Sequence, residues 1–233
     1  MRHAHLLNRI AALEAFHGPV SRRGLVRGSA SLAGGAAALG GAGGAGLLLP
    51  RAAAAQQTVQ IEDEVDVLNF ALTLEHLDST LYRVGLEDFD EAAFEEAGFQ
   101  ATVREYLAQI AENEATQVEF LTETISDLGG DPVPRAEYSF PYTTLPEFLA
   151  LSLQVEEVGL DAYTGAAQYL IDNDELLTAA LTIHAVEARH LAYFRYVNGL
   201  VPFPEAFEAP ITPDEAFAVA SQFIVAAEAT PGS

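Results

Sequence analysis

The chain has 233 residues, enough for one domain of ordinary size, and carries 34 acidic side chains against 11 basic ones. It contains no cysteine, which excludes disulfides, thiolate metal sites and lipid attachment through cysteine. The strong negative charge makes nucleic acid and anionic lipid poor partners.

The first 55 residues are predicted to be an export signal. The paired arginines Arg22 and Arg23 precede a weakly apolar stretch, rich in glycine and alanine, that ends near Leu49. Four alanines at 52–55 then provide a small-residue cleavage site. The stretch contains too much glycine for a membrane-spanning helix, and the alternative is a Gly/Ala tail without a targeting role. We predict twin-arginine export to the extracellular or cell-envelope space and a mature domain of residues 56–233.

Removal of this signal makes the charge more negative. All basic residues of the chain are arginines, and six of the 11 lie in the first 55 residues. The mature part keeps five arginines against 33 acidic residues, a formal charge of about −28. Such acidity is typical of proteins that work at high salt, where ions screen the self-repulsion of the surface. We therefore predict a halophilic source, and the alternative is a surface dedicated to binding or storing cations.

The mature part contains four long segments in which apolar residues recur at steps of three and four, the spacing of helices in a bundle. These segments cover residues 65–82, 103–128, 149–170 and 176–197. The acidic stretch 86–99 predicts a short helical turn between the first two. No strand-like alternation competes with this pattern. We predict an all-α fold, an antiparallel four-helix bundle.

Capping and stop signals agree with these boundaries. Gly129, shortly before a proline, ends the second helix, and Thr144 with Glu147 forms a capping box that begins the third. The link around Asn173 has only about three residues, so the third and fourth helices are antiparallel neighbours. The link between helices two and three has about fifteen residues, enough to run the length of a bundle. Thr212 begins a short fifth helix at the C-terminal end.

Each predicted helix carries a glutamate near the middle of its apolar face, and two helices carry a second polar residue one turn later. These residues are Glu75, Glu114, Gln117, Glu156, Glu187 and His190. An unpaired carboxylate in a bundle core is costly or becomes protonated. Two divalent cations would balance four such carboxylates. The alternative is that one or two helices are phased wrongly and that some of these glutamates are solvated.

The spacing suits a metal site, because residues at i and i+3 lie on one helix face. Di-metal bundles use one Glu from each of two helices and Glu-x-x-His from each of the other two. Glu75 and Glu156 would be the single glutamates, and Glu187 with His190 one of the pairs. The other pair ends in Gln117, whose amide oxygen is a weaker ligand than imidazole. We therefore predict one or two bound ions, iron or manganese, because few imidazoles are present.

The chain also contains an internal repeat. A tyrosine follows the glutamate of the first and third helices by seven residues, at Tyr82 and Tyr163. The chain thus resembles two related helix hairpins. These tyrosines either pack in the core with their hydroxyls bonded to carboxylates or take part in redox chemistry. His76 and His184 are predicted to lie outside the ligand set.

Three stretches resemble the ferritin-like domain family, which includes desiccation-related proteins. They are VLNFALTLEHLDSTLYR (67–83), VEEVGLDAYTGAA (155–167) and VEARHLAYFR (186–195). The resemblance spans residues 64–225 and implies a bundle of the ferritin–rubrerythrin superfamily with a carboxylate-bridged di-iron or di-manganese centre. The residues that match its ligand positions are Glu75, Glu114, Glu156, Glu187 and His190. The chain departs from the family at Gln117, where a histidine is expected.

Our leading functional hypothesis is an exported protein that binds iron or manganese and oxidises Fe(II) with oxygen or peroxide, or removes peroxide. The alternative is a non-catalytic desiccation or stress protein with a degenerate metal site. Metal ions are the expected partners, and neither a nucleic-acid partner nor a membrane span is expected. Whether the chain forms a homo-oligomer is left open.

Overall fold

A computed structural model describes residues 58–225, and the predicted export signal lies outside these residues. The described part forms six α-helices: α1 (Glu64–Asp88), α2 (Glu91–Glu96), α3 (Ala101–Asp127), α4 (Leu145–Ala166), α5 (Asp174–Val197) and α6 (Pro213–Ala220). One turn of 3-10 helix, Ala167–Leu170, follows α4 directly. The four long helices and the short α2 confirm the periodicity of the sequence, and the all-α prediction is confirmed for this part of the chain.

The helices begin where the capping signals predicted. The side chain of Thr144 accepts a hydrogen bond from the Glu147 amide, and the Glu147 carboxylate accepts one from the Thr144 amide. Thr212 forms the same reciprocal arrangement at the start of α6. The side chain of Asn173 accepts a bond from the Leu176 amide and so caps α5. Each cap supplies an acceptor for an amide that has no partner inside its helix.

The long helices pack as two hairpins around one hydrophobic core. α1 packs against α3 and α4 packs against α5, while α1 and α4 join the two hairpins across the middle. Fully buried side chains such as Leu72, Leu107, Phe148 and Phe194 fill the space between the helices. A bundle with this packing brings the centres of all four helices to the same level.

Residues 128–144 connect α3 and α4, and the segment that follows α6 forms hydrogen bonds with them. Gly129 adopts φ +80, a left-handed conformation that stops α3 at low steric cost. Farther along, the Ser139 amide donates to the Phe223 carbonyl at 2.8 Å, and the Val225 amide donates to the Glu137 carbonyl at 2.8 Å. The segment after α6 therefore covers the long connection.

Gly165 allows the segment before α6 to lie directly on α4. A Cβ atom at this position would collide with the carbonyl oxygen of Ile211. The Ile211 amide also donates to the Asp161 carbonyl at 3.3 Å, so the two backbones are in direct contact. The absence of a side chain at Gly165 thus fixes the position of α6.

Two details differ from the expected phasing. The steps of three and four along residues 65–82 place Ser79 on the apolar face with Glu75 and Tyr82, but the structure buries Asp78 and leaves Ser79 half-buried. The apolar face predicted for the short C-terminal helix contains Phe217 and Ala220, but α6 buries Ala216 and Ala220 and leaves Phe217 half-buried. Within residues 58–225, no helix is both long and apolar enough to cross a bilayer.

Candidate metal centre

The four long helices bring their central glutamates into one buried layer. Glu75, Glu114, Glu156 and Glu187 are each at most 2% exposed. Gln117 is 7% exposed and His190 is 4% exposed. The alternative in which some of these glutamates are solvated is therefore wrong, because all six predicted residues lie in the core.

Four of the six residues converge on one point. Ligand atoms of Glu114, Glu156, Glu187 and His190 all lie within 4.8 Å of one another. His190 Nδ1 is 2.9 Å from Glu114 Oε1, 3.7 Å from Glu156 Oε1 and 3.8 Å from Glu187 Oε2. One ring nitrogen thus faces carboxylates from three different helices.

Asn113 contacts the opposite side of the same imidazole. Its Nδ2 atom lies 3.1 Å from His190 Nε2. This contact holds the plane of the imidazole and leaves Nδ1 on the side of the carboxylates. Asn113 was not predicted from the sequence, although it immediately precedes Glu114 on α3.

Gln117 lies beside this group but has a different role from His190. Its Nε2 atom donates a hydrogen bond to Glu187 Oε1 at 2.8 Å, and its Oε1 atom is buried without a partner. Glu75 is not part of the convergent group of four. The half of the layer that contains Glu75 and Gln117 therefore has no imidazole, and these two side chains do not belong to the convergent group.

The two repeated tyrosines connect the hairpins. Tyr82 of α1 donates to Glu156 Oε1 of α4 at 2.5 Å, and Tyr163 of α4 donates to Glu75 Oε1 of α1 at 2.5 Å. Each hydroxyl thus holds the glutamate of the other hairpin. The reciprocal pattern agrees with the internal repeat and fixes one oxygen of each glutamate.

Asp78 is a core carboxyl group that the sequence analysis missed. It is 3% exposed, and its Oδ1 atom is buried without a hydrogen-bond partner. Gly159 of α4 lies opposite, so that a Cβ atom there would be 3.6 Å from Asp78 Oδ2. The spacing Glu75-x-x-Asp78 is the same i, i+3 relation that identified Glu187 and His190, and this signal could have revealed it.

The buried layer concentrates unscreened negative charge. Burial, and then the charge of Glu187, raises the pKa of Glu75 to about 8. Burial and neighbouring carboxylates also hold the pKa values of Asp78, Glu114 and Glu156 well above their ordinary range. Protons must therefore neutralise part of this layer whenever no cation does so.

Many atoms of the layer lack a hydrogen-bond donor. The buried atoms without a partner include Glu75 Oε2, Asp78 Oδ1, both carboxylate oxygens of Glu114, Gln117 Oε1, Glu156 Oε2 and His190 Nδ1. The 2.9 Å approach of His190 to Glu114 does not have hydrogen-bond geometry. Unpaired acceptors are rare in a protein core, and a shared cation is the partner that satisfies several of them at once. The donor set could therefore hold a metal ion.

The comparison with known protein families agrees with this geometry. A family model described as the ferritin-like domain matches residues 63–200. The chain belongs to the ferritin-like domain family. The matched range contains α1 to α5 and every residue of the buried layer, so the family resemblance found in the sequence is confirmed.

The ferritin-like chain is also similar to protein rds1 of Schizosaccharomyces pombe. The two are 29% identical over 161 residues, which cover 68% of this chain and 38% of rds1. The ferritin-like chain therefore spans well under two thirds of the length of that relative.

The remaining predicted histidines of the ferritin-like chain lie away from the convergent group. His76 Nε2 is 3.2 Å from the Val133 carbonyl oxygen, and His184 Nε2 is 3.0 Å from Thr164 Oγ1. Partial burial lowers the pKa of both imidazoles. His76 thus contacts the connection between α3 and α4, His184 contacts α4, and neither belongs to the convergent group of four.

Proposed function

We propose that the buried layer binds iron or manganese and that the protein oxidises Fe(II) with oxygen or peroxide, or removes peroxide. The observation that carries this proposal is the convergence of three carboxylates and one imidazole, in which both oxygens of Glu114, Glu156 Oε2 and His190 Nδ1 have no hydrogen-bond partner. Ligand sets dominated by carboxylate oxygens suit iron and manganese better than copper.

The charge of the layer supports a dinuclear or half-occupied centre. Four glutamates balance two divalent cations, and neutralisation removes the cost of burying them. In this proposal Glu114, Glu156, Glu187 and His190 hold the first ion. Glu75 and Gln117, together with carboxylates shared from the first group, hold a second ion more weakly.

The protein's own residues prepare the site for this chemistry. A bound metal ion supplies one-electron redox chemistry towards oxygen or peroxide. Tyr82 and Tyr163 each hold one oxygen of a glutamate, and Asn113 holds the ring of His190. Because the layer is almost fully buried, bulk water is excluded and the electrostatic interactions inside it are strong.

A second candidate function is a non-catalytic stress or desiccation protein that keeps the bundle without turnover. The bond from Gln117 to Glu187 favours it, since that bond engages a carboxylate oxygen without any cation. Metal content distinguishes the two candidates, because a structural bundle needs no ion in its core.

The deciding experiment is an anaerobic titration of the metal-free protein with Fe(II) and with Mn(II), followed by exposure to oxygen. We expect saturable binding of one ion at high affinity and rapid oxidation of bound Fe(II). Glu114→Gln should weaken binding, whereas Glu112→Gln, two residues earlier on an exposed face of α3, should not. Equal binding by both variants would contradict the proposal and favour the non-catalytic bundle.

We also propose that the protein is exported by the twin-arginine route and works at high salt. The paired arginines support the export proposal, and the formal charge of about −28 on residues 56–233 supports the proposal that the protein works at high salt. Replacement of Arg22 and Arg23 by lysine should retain the precursor in the cytoplasm. The melting temperature should rise between low and molar KCl as salt screens the surface. Normal secretion of the double variant would refute the export proposal, and an unchanged melting temperature would refute the salt proposal.

A further inference from the structure

A continuous series of aromatic rings connects solvent with the buried layer. The ring centroids of Tyr106 and Tyr193 are 5.7 Å apart, and those of Tyr193 and Phe194 are 6.2 Å apart. Phe194 stacks on Tyr82 at 5.5 Å with an interplanar angle of 11°. The Tyr82 hydroxyl then donates to Glu156 Oε1 at 2.5 Å. Every step from α3 through α5 to α1 is a direct contact.

The two ends of this aromatic series differ in how their hydroxyl protons can leave. Tyr106 is 55% exposed, so water can take its proton, while Tyr82 is fully buried and has Glu156 as acceptor. The hydroxyl of Tyr193 is buried and has no hydrogen-bond partner. Oxidation of a tyrosine is coupled to loss of its proton, so the two end residues suit electron exchange and the two middle rings suit bridging.

Among residues 58–225, the helix hairpin that carries Tyr163 has no equivalent series of rings that leads to this tyrosine. Tyr163 is the repeat partner of Tyr82, and Leu121 occupies the repeat position of Phe194, seven residues after the second glutamate. Tyr163 and Leu121 line the same cavity, which is almost wholly apolar. None of the ring pairs found among residues 58–225 includes Tyr163. Packing alone does not require this difference, because both tyrosines hold a glutamate in the same way.

We propose that Tyr106, Tyr193, Phe194 and Tyr82 form a one-electron relay that connects the buried layer with small reductants in solvent. This inference rests on the proposed redox function of the layer. It adds an entry point for electrons at Tyr106, on the exposed side of α3 and α5.

The electron balance of the relay is simple. With an oxidised metal ion bound in the layer, Tyr82 would supply one electron to it, and the Tyr82 O–H bond would break as the proton moves to Glu156 Oε1. Tyr106 then gives an electron across the rings of Tyr193 and Phe194 to the Tyr82 radical, which regains its proton from Glu156. Tyr106 loses its own proton to water. A small one-electron reductant, such as ascorbate, restores Tyr106 together with a proton.

The relay can be tested in the metal-free full chain at a pH alkaline enough to ionise Glu156, so that Glu156 can accept the Tyr82 proton and the result does not depend on metal binding. Flash photolysis of a cationic ruthenium trisbipyridine complex with persulfate generates an oxidant in solvent, which the acidic surface attracts. The same rings then carry oxidation inwards from Tyr106 to Tyr82. Electron paramagnetic resonance of frozen samples should show a buried, hydrogen-bonded tyrosyl radical that is lost in Tyr82→Phe.

Matched variants distinguish a relay from simple packing. Tyr106→Phe and Phe194→Leu should lose the buried radical. The leucine in Phe194→Leu matches Leu121, which occupies the repeat position of Phe194. Tyr193→Phe, which keeps the bridging ring, should retain it, while Tyr193→Leu should lose it. Tyr163→Phe and the exposed Tyr169→Phe are controls that should leave the signal unchanged. Circular dichroism confirms that each variant is folded.

Two results would overturn the relay. One is a buried radical that persists at wild-type yield in Tyr106→Phe or in Phe194→Leu. The other is a loss of signal in Tyr163→Phe equal to that in Tyr82→Phe. If instead the relay variants behave as expected but the titration with Fe(II) shows no binding, the rings conduct electrons and the proposed metal function fails.

Discussion

The two Glu-x-x-polar pairs of the bundle occupy equivalent helices yet have different contacts. On α5, His190 directs a ring nitrogen towards three carboxylates, and Asn113 holds its other nitrogen. On α3, Gln117 directs an amide nitrogen towards Glu187 and donates a hydrogen bond to it. An imidazole at this position can offer a lone pair to a cation, whereas the amide donates to a carboxylate. One replacement thus separates a nearly complete metal position from an incomplete one.

The strongest way to remove this difference is to make the two pairs alike by His190→Gln. We expect loss of the tighter metal position, with affinity falling by about 10–100-fold or more, since the loss of even an outer partner of a ligand costs that much. Anaerobic titration with Fe(II) or Mn(II) at fixed pH and salt measures the change. His184→Gln is the control, because His184 contacts Thr164 and not the carboxylates. Unchanged affinity in His190→Gln would show that His190 is not a ligand.

The opposite change, Gln117→His, should complete the weaker half. The new imidazole would replace the amide that donates to Glu187 and offer a nitrogen to a second ion. We expect affinity at that position to rise by about 10–100-fold and the stoichiometry to approach two ions per chain. Metal analysis after gel filtration measures the stoichiometry. A variant that still retains only one ion would show that Gln117 is not what limits the second position.

Protons should replace metal in the metal-free protein, which makes its stability depend on pH. The folded pKa of Glu75 is about 8 against an ordinary value of 4.5, so the folded state binds more protons between these values. Stability should therefore fall as the pH rises from 4.5 to 8, and the raised pKa values of Glu114 and Glu156 act in the same direction. Urea denaturation at pH 5 and pH 8 measures this difference.

A matched substitution and added metal sharpen that measurement. Glu114→Gln should raise the stability of the metal-free protein at pH 8 more than at pH 5, because it removes a buried charge. Mn(II) at one hundred times its Kd should stabilise the wild type by about 2.7 kcal/mol. Stability of the metal-free protein that increases up to pH 8 would mean that the layer is better solvated than its burial indicates.

The smallest expected effect concerns Gly159, three residues after Glu156 on α4. It faces Asp78, which is three residues after Glu75 on α1. A methyl group at Gly159 would lie 3.6 Å from Asp78 Oδ2, an ordinary van der Waals distance. Gly159→Ala should therefore stabilise the protein by roughly 0.5–1 kcal/mol through its effect on the helix backbone. Thermal denaturation measures this change. Destabilisation would show that Asp78 needs the space opposite it, for water or for an ion.

The local features of the fold could be predicted from the sequence. Apolar spacing located the four long helices, and the start signals at Thr144 and Thr212 were confirmed as the caps of α4 and α6. These features depend on residues within a few positions of one another, which is why a single sequence reveals them. The burial of Glu75 and Glu187 also followed, because each interrupts an otherwise apolar face.

Only the tertiary structure decided which side chains meet across helices. Tyr82 was found to bond to Glu156, 74 residues away, and Asn113 to contact His190, 77 residues away. Such pairs depend on the rotation and level of each helix relative to its neighbours, to within a fraction of a turn. Asp78 was missed although its i+3 spacing from Glu75 offered a signal in the sequence, and only the packing of α1 shows that Asp78 is buried while Ser79 is half-buried. The sequence alone therefore determined the helices and their central glutamates, whereas tertiary packing decided which of these residues converge and which rings connect them to solvent.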